Sequence, residues 1–222
     1  MKTHFKTGLI LVCLIASISF NAPTSYAGND NPYAGQYDVL KKTLPAISDS
    51  NKIEVVEFFW YGCPHCYHFE RPLKKWLKTK PDDVEFIQLP ALFYETHPWA
   101  SLAKLYYTAK RLKVLDKVHT PIFYAIHAPK KHQTFLQALL QIFAKHGVSQ
   151  ELFFDTFGSF DILDDINEAE KVTKTYGVKS VPIIFVNGKY RLSGGKAGGY
   201  KKLIKILDYL IEKERHAQSL KR

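Results

Sequence analysis

The stretch Glu57-Phe58-Phe59-Trp60-Tyr61-Gly62-Cys63-Pro64-His65-Cys66-Tyr67-His68-Phe69-Glu70 decides the fold. The β-branched and aromatic run before it, Ile53 to Phe59, reads as a short buried strand. An aromatic pair follows, then a Gly that permits a tight turn, then Cys-x-x-Cys. Pro64 suits a first helical position, where a missing N–H and a fixed φ are tolerated. Cys63 is therefore expected at the mouth of a helix, with Cys66 about one turn further in.

Unpaired N–H groups and the positive end of the macrodipole at such a mouth stabilise a thiolate on Cys63. A stabilised thiolate favours the dithiol and makes the disulfide a stronger oxidant. His65, between the cysteines, can add a donor or a positive charge. A structural disulfide across so short a loop would remove little chain entropy. A zinc site could draw on His65 or His68, but no second pair of ligands at metal spacing accompanies them. Haem attachment requires His directly after the second Cys, where this chain has Tyr67. The spacing thus favours a redox pair.

Cys-Pro-His-Cys-Tyr behind Glu-Phe-Phe resembles the DsbA family, bacterial periplasmic thiol:disulfide oxidoreductases with a thioredoxin fold. That family's depressed cysteine pKa and oxidising potential come with the resemblance. A second signature, Ser180-Val181-Pro182-Ile183-Ile184-Phe185-Val186-Asn187-Gly188-Lys189-Tyr190, resembles the family's cis-proline loop and hairpin. The resemblance implies a cis Val181–Pro182 bond and a loop facing the cysteines, where Val181 backbone groups would hold an extended substrate peptide. It also implies that Glu57 is a partly buried carboxylate that helps move the Cys66 proton. Glu70 aligns with a family acid but reads as a helix-surface residue. Gln88 stands where some members carry a basic residue, which leaves the charge balance beneath the site open.

The chain has 222 residues, 46% hydrophobic and 14% aromatic, enough for a real core. Residues 1–27 read as a signal peptide: Lys2 and Lys6, an apolar Gly8 to Phe20, and Ser25-Tyr26-Ala27 for cleavage. The apolar run is 13 residues, short for a membrane span. Cleavage would remove Cys13, leave Cys63 and Cys66 as the only cysteines, and lower the net charge from +10 to +8. The basic residues, among them Lys74-Lys75, Lys130-Lys131 and Lys201-Lys202, are dispersed and carry no nucleic-acid motif. They read as a solvated basic surface.

Along the rest of the chain, Tyr37 to Leu44 offers a short edge strand. A helix runs from Cys63 toward Lys78 past Pro72, and Val84 to Leu89 gives a second, parallel strand. Helical periodicity from Pro98 to Phe157 places a helical insertion at about residues 97–165. Asn167 to Tyr176 reads as a short helix. Val178 to Val186 reads as a strand interrupted by Pro182, whose proline marks an edge or a distortion. Asn187-Gly188 turns a hairpin into Lys189 to Leu192. Gly194 to Gly199 reads as flexible, and Tyr200 to Lys213 as an amphipathic helix. His97, His119, His127, His132 and His146 form no ligand set and read as surface residues.

The expectation is an α/β, thioredoxin-like fold over residues 28–222 with an inserted helical domain. Its catalytic residues would be Cys63, Cys66, His65, Pro64 and Glu57, with Val181 and Pro182 for substrate, and neither cofactor nor metal. The resemblance implies a monomeric, periplasmic oxidase of reduced exported proteins, reoxidised by a DsbB-like membrane quinone reductase. A disulfide isomerase or reductase of the same fold, or a chaperone-like binding module, are the alternatives. The isomerases usually carry an N-terminal dimerisation domain, and only about 25 residues separate Ala27 from the first core strand.

Overall fold

In the computed structural model, residues 31–93, 99–128 and 133–220 are described. The expected leader at residues 1–27 with its Cys13, and likewise His97 and His132, lie outside them. From Tyr33 onward the chain is one compact unit. Its elements are β1 (Asp38–Val39), β2 (Ile53–Phe59), α1 (Pro64–Leu77), β3 (Val84–Pro90), α2 (Trp99–Arg111), α3 (Leu115–His127), α4 (Phe135–Ala144), α5 (Gln150–Phe157), α6 (Phe160–Thr175), β4 (Ile183–Val186), β5 (Tyr190–Ser193), α7 (Gly194–Ala197) and α8 (Tyr200–Ser219).

The strands form one mixed sheet in the order β1-β5-β4-β2-β3. β2 is parallel to β3 and antiparallel to β4. All seven residues of β2 are buried, as expected of an inner strand covered on both faces. Side chains alternate across it. Ile53 and Val55 join Phe69, Leu73 and Trp76 of α1 and Leu203 to Ile211 of α8 in one core. Val56 and Phe58 pack with Phe185, Tyr176 and Val178 on the other side. A third core fills the helical block and reaches Phe59, Tyr61 and both site cysteines.

This is a thioredoxin fold in which helices α2 to α6 lie between β3 and β4 in the chain. Three local expectations need correction. α6 begins at Phe160, not Asn167: the backbone is extended at Ser159, whose side chain makes no cap bond, and Asp161 places a favourable charge in the first turn. Pro182 does not interrupt a strand: β4 starts after it, at Ile183, so the missing N–H disturbs no ladder although β4 is an inner strand. Gly194 to Gly199 is not a flexible entry. Ser193 Oγ caps a helical turn that Gly198 closes at φ 78°, and the Gly194 backbone lies so close to the Tyr200 ring that a Cβ would stand 2.6 Å from it.

Candidate active site

Cys63 occupies the N-cap of α1 in extended geometry, with Pro64 following as the first helical residue. Its N–H bonds the Trp60 carbonyl at 3.0 Å and closes the turn leaving β2. Gly62 is required there: a Cβ would stand 2.4 Å from the Trp60 indole, which stacks on Trp99 at 3.8 Å between centroids. No acid sits in the first helical turn, so nothing offsets the positive helix end. Tyr200 of α8 donates to the His65 carbonyl at 3.0 Å, tying the motif to the helix that packs beside α1 on the same face of the sheet.

Both cysteines are free thiols. Cys63 shows only an edge to solvent, 9% exposed, and Cys66 lies beneath it at 2%. The Cys66 thiol donates to Cys63 and is the strongest influence drawing the Cys63 pKa down to about 6. Burial opposes this, while the backbone N–H groups of Cys66 and His65 and the His65 charge add to it. Burial drives Cys66 the other way, far above an ordinary thiol, and its bond to Cys63 reinforces that. The pair is therefore split into one sulfur that ionises readily and one that keeps its proton.

Val181 and Pro182 meet this pair. The Val181–Pro182 bond is cis. Cys63 Sγ donates to the Val181 carbonyl oxygen at 3.4 Å, across 118 residues of sequence. The sheet register that pairs Phe58 with Ile183 brings the end of β2 and the start of β4 to one edge.

Glu57 faces Gln88 in the β2–β3 register and accepts a 2.7 Å hydrogen bond from its Nε2. It is more than partly buried, at 2% exposure. Burial, then the charge of Glu70, pushes its pKa up to about 8, with the Gln88 bond working against both. Tyr106 Oη donates to the Gln88 carbonyl at 2.6 Å and holds that strand in place. Gln88 thus donates to Glu57 without adding charge.

Glu70 is not a surface residue but buried, because α3 packs against that side of α1. Thr120 Oγ1 donates to its Oε1 at 2.8 Å, and His119 Nε2 stands 3.4 Å from its Oε2. Burial raises the Glu70 pKa, but His119, Thr120 and Lys74 outweigh it and hold the carboxyl below its usual range. His119 is likewise buried, ringed by Phe59, Tyr61, Tyr106 and Phe123, with Nδ1 2.7 Å from Tyr61 Oη. His127 is half-buried: it stacks on Tyr67, and its Nε2 donates to the Tyr61 carbonyl at 2.7 Å. Two histidines of α3 therefore hold Tyr61, two residues before Cys63. The spacing of His119, Phe123 and His127, four residues apart each time, was the signal that they share one inward face. His146 is exposed, as expected. Among the described residues no group of His, Cys, Asp and Glu is arranged to hold a metal ion.

The sheet order, the helix-capping Cys-x-x-Cys and the proline loop facing it define a thioredoxin-fold thiol:disulfide protein. Residues 54–198 match the model of the DSBA-like thioredoxin domain, and the chain belongs to that family. It is similar to the thiol:disulfide interchange protein DsbA of Azotobacter vinelandii, 39% identical over 214 residues, covering 95% of this chain and 99% of the relative. The protein of that name from Pseudomonas aeruginosa is 40% identical, covering 94% and 97%. The crystal structure of Pseudomonas aeruginosa DsbA superposes with a TM-score of 0.73 over 83% of this chain and 95% of that one. The oxidoreductase DsbA from Xylella fastidiosa gives 0.71 at 31% identity, over 81% and 95%.

Proposed function

We propose that this thiol:disulfide oxidoreductase works as an oxidase, donating a Cys63–Cys66 disulfide to reduced exported proteins as they fold. The observation that carries the reading is the split between the two sulfurs: Cys63 near 6 at a helix mouth, Cys66 buried with its thiol retained. A substrate thiolate attacks Cys63 Sγ, the Cys63–Cys66 bond breaks, and Cys66 departs with the electron pair and takes a proton. Glu57, held near 8 and so largely protonated at neutral pH, is positioned to supply that proton. A second substrate thiolate then attacks the substrate sulfur of the mixed disulfide. Cys63 leaves as a stable thiolate, the substrate keeps the new disulfide, and the two electrons stay on the cysteine pair.

In this scheme Pro64 presets the first helical turn, His65 stabilises the Cys63 charge, and Val181 and Pro182 present the backbone against which substrate lies. A membrane quinone reductase of the DsbB kind reoxidises the pair, and the protein acts as a periplasmic monomer of residues 28–222 after loss of the leader. Among the described residues no helix is long and apolar enough to cross a membrane. The test is oxidation of a reduced dithiol peptide alongside insulin reduction, with Cys63→Ser as control. Efficient peptide oxidation that the variant loses supports the scheme. Insulin reduction without peptide oxidation would make the protein a reductase.

A further inference from the structure

Helix α1 carries the redox pair at its mouth and a different chemistry along its outer face. His68, Arg71, Lys75 and Lys78 follow one another at spacings of three and four residues, so they form one exposed stripe. With Lys74 they border a groove of about 480 Å³ whose opposite wall is Thr120 and Tyr124 of α3. Tyr67, the residue after Cys66, lines the end nearest the redox pair.

Within the groove, the charge is one-sided. Glu70 is the one carboxylate among its described lining residues, and His119 and Thr120 already engage it. Lys74 Nζ donates to Thr120 Oγ1 at 3.1 Å. Among the described residues no side-chain hydrogen bond or ion pair engages Arg71, Lys75 or Lys78. Several cations elsewhere are matched, Arg111 to Asp161 and Asp165, Arg191 and Lys196 to Asp38, Arg215 to Asp83, Lys189 to Glu214, while others such as Lys117 and Lys205 are solvated; what marks this groove is that its cations gather along one recess. A solvated helix face usually interleaves acids with its lysines, and α1 exposes none. Offsetting the helix dipole explains Lys74 and Lys75 in the last turn, but not Arg71.

We propose that this groove receives an acidic segment of the substrate polypeptide, lying along α1 while the substrate's cysteine reacts at Cys63. The occupant is a peptide because the site is a walled recess flanked by two tyrosines, one of them next to Cys66 in the chain, a shape that fits a single extended chain better than a bilayer surface. Its reach follows from geometry. From Cys63 to Lys78 the helix rises about 22 Å, which an extended chain covers in roughly seven residues. Asp and Glu within that distance of the reacting cysteine are recognised, and those further away are not.

The inference rests on the oxidase reading above, and the experiment separates the two. Reduced dithiol peptides that differ only in an acidic, neutral or basic run within about seven residues of the cysteine are oxidised at low ionic strength. The acidic peptide should react about tenfold faster than the neutral one, with the advantage fading above physiological ionic strength. The double variant Arg71→Glu, Lys75→Glu should lose that preference while oxidising the neutral peptide at the unaltered rate. The same peptides with Ser for Cys should bind in the same order, which reads the groove without redox chemistry. Equal rates and equal binding for all three peptides would overturn the proposal and leave the oxidase standing. Tighter binding of the acidic Ser peptide with no oxidation of any peptide would keep the groove and remove the oxidase. Anionic phospholipid vesicles that bind the protein but not the double variant, with no peptide preference, would make the face a membrane contact and overturn the proposal.

Discussion

Changing pH on the reduced and oxidised forms in parallel tests the electrostatics of Cys63 directly. In the reduced folded protein the Cys63 pKa is about 6, whereas an unfolded chain's thiol titrates near ~8.5. A group whose folded pKa is depressed contributes stability that is complete above the unfolded value and is lost as pH falls through the folded one. The linkage relation gives almost nothing at pH 5, about 1.4 kcal/mol at pH 7 and about 2.5 kcal/mol at pH 8. These are upper figures, because the exposed edge of the sulfur is screened by solvent. Cys66 has the opposite sign: its raised pKa begins to cost stability once unfolded thiols ionise above about 8.5. Glu57 titrates in both forms and drops out of their difference. The reduced-minus-oxidised gap should therefore widen from pH 5 to pH 8, by roughly 3–8 °C in melting midpoint for a domain of this size, with the reduced form the more stable at neutral pH. Calorimetry on both forms across that range reads it. A gap that stays constant or narrows would refute the thiolate argument and point to a bridge that merely staples the chain.

Three further outcomes can be checked. Glu57→Gln removes a buried group held near 8, so wild type should lose about 3 kcal/mol between pH 4.5 and pH 7 that the variant keeps; parallel denaturation curves would contradict this, as would a rate profile for Cys66 chemistry that retained its inflection near 8. His119→Ala removes a buried ring that stands 3.4 Å from Glu70 Oε2 and meets Tyr61 Oη, and should cost about 1–3 kcal/mol in chemical denaturation; a loss under about 0.5 kcal/mol would show that ring to be dispensable there. Gly62→Ala drives a methyl into the Trp60 ring and should displace its stack on Trp99, changing near-UV circular dichroism and costing about 1–3 kcal/mol. An unchanged aromatic spectrum would refute that packing.

What could be read from the chain alone followed contiguity. Cys63, Pro64 and Cys66 lie on one strand-to-helix turn, where local rules for caps and buried strands suffice. The burial of Glu57 and the cis Val181–Pro182 bond were legible only through the likeness to a known family. Glu70, His119 and His127 were misjudged as surface because polar side chains on helices usually are. Their burial depends on α3 lying against α1, a tertiary contact between segments about 50 residues apart; the spacing of His119, Phe123 and His127 marks a shared face but not what covers it. Gln88 was identified as the odd residue, but its bond to Glu57 required the strand register. The start of α6 hides for a smaller reason: Ser159 makes no side-chain cap bond and Phe160 stands exposed, off any apolar face.

The antiparallel pairing of β2 with β4 has a consequence for the order in which the protein comes into being. A ribosome makes the chain N-terminus first, so Cys63 emerges 118 residues before Val181. Until β4 is synthesised and docks against β2, the pair lacks the carbonyl that faces it, and the first helix stands on half a sheet. A newborn chain therefore leaves Cys63 and Cys66 open to any oxidant or stray cysteine, with none of the selectivity of the finished protein. An enzyme of thiol exchange is, for the span of its own synthesis, an unprotected client of the chemistry it performs.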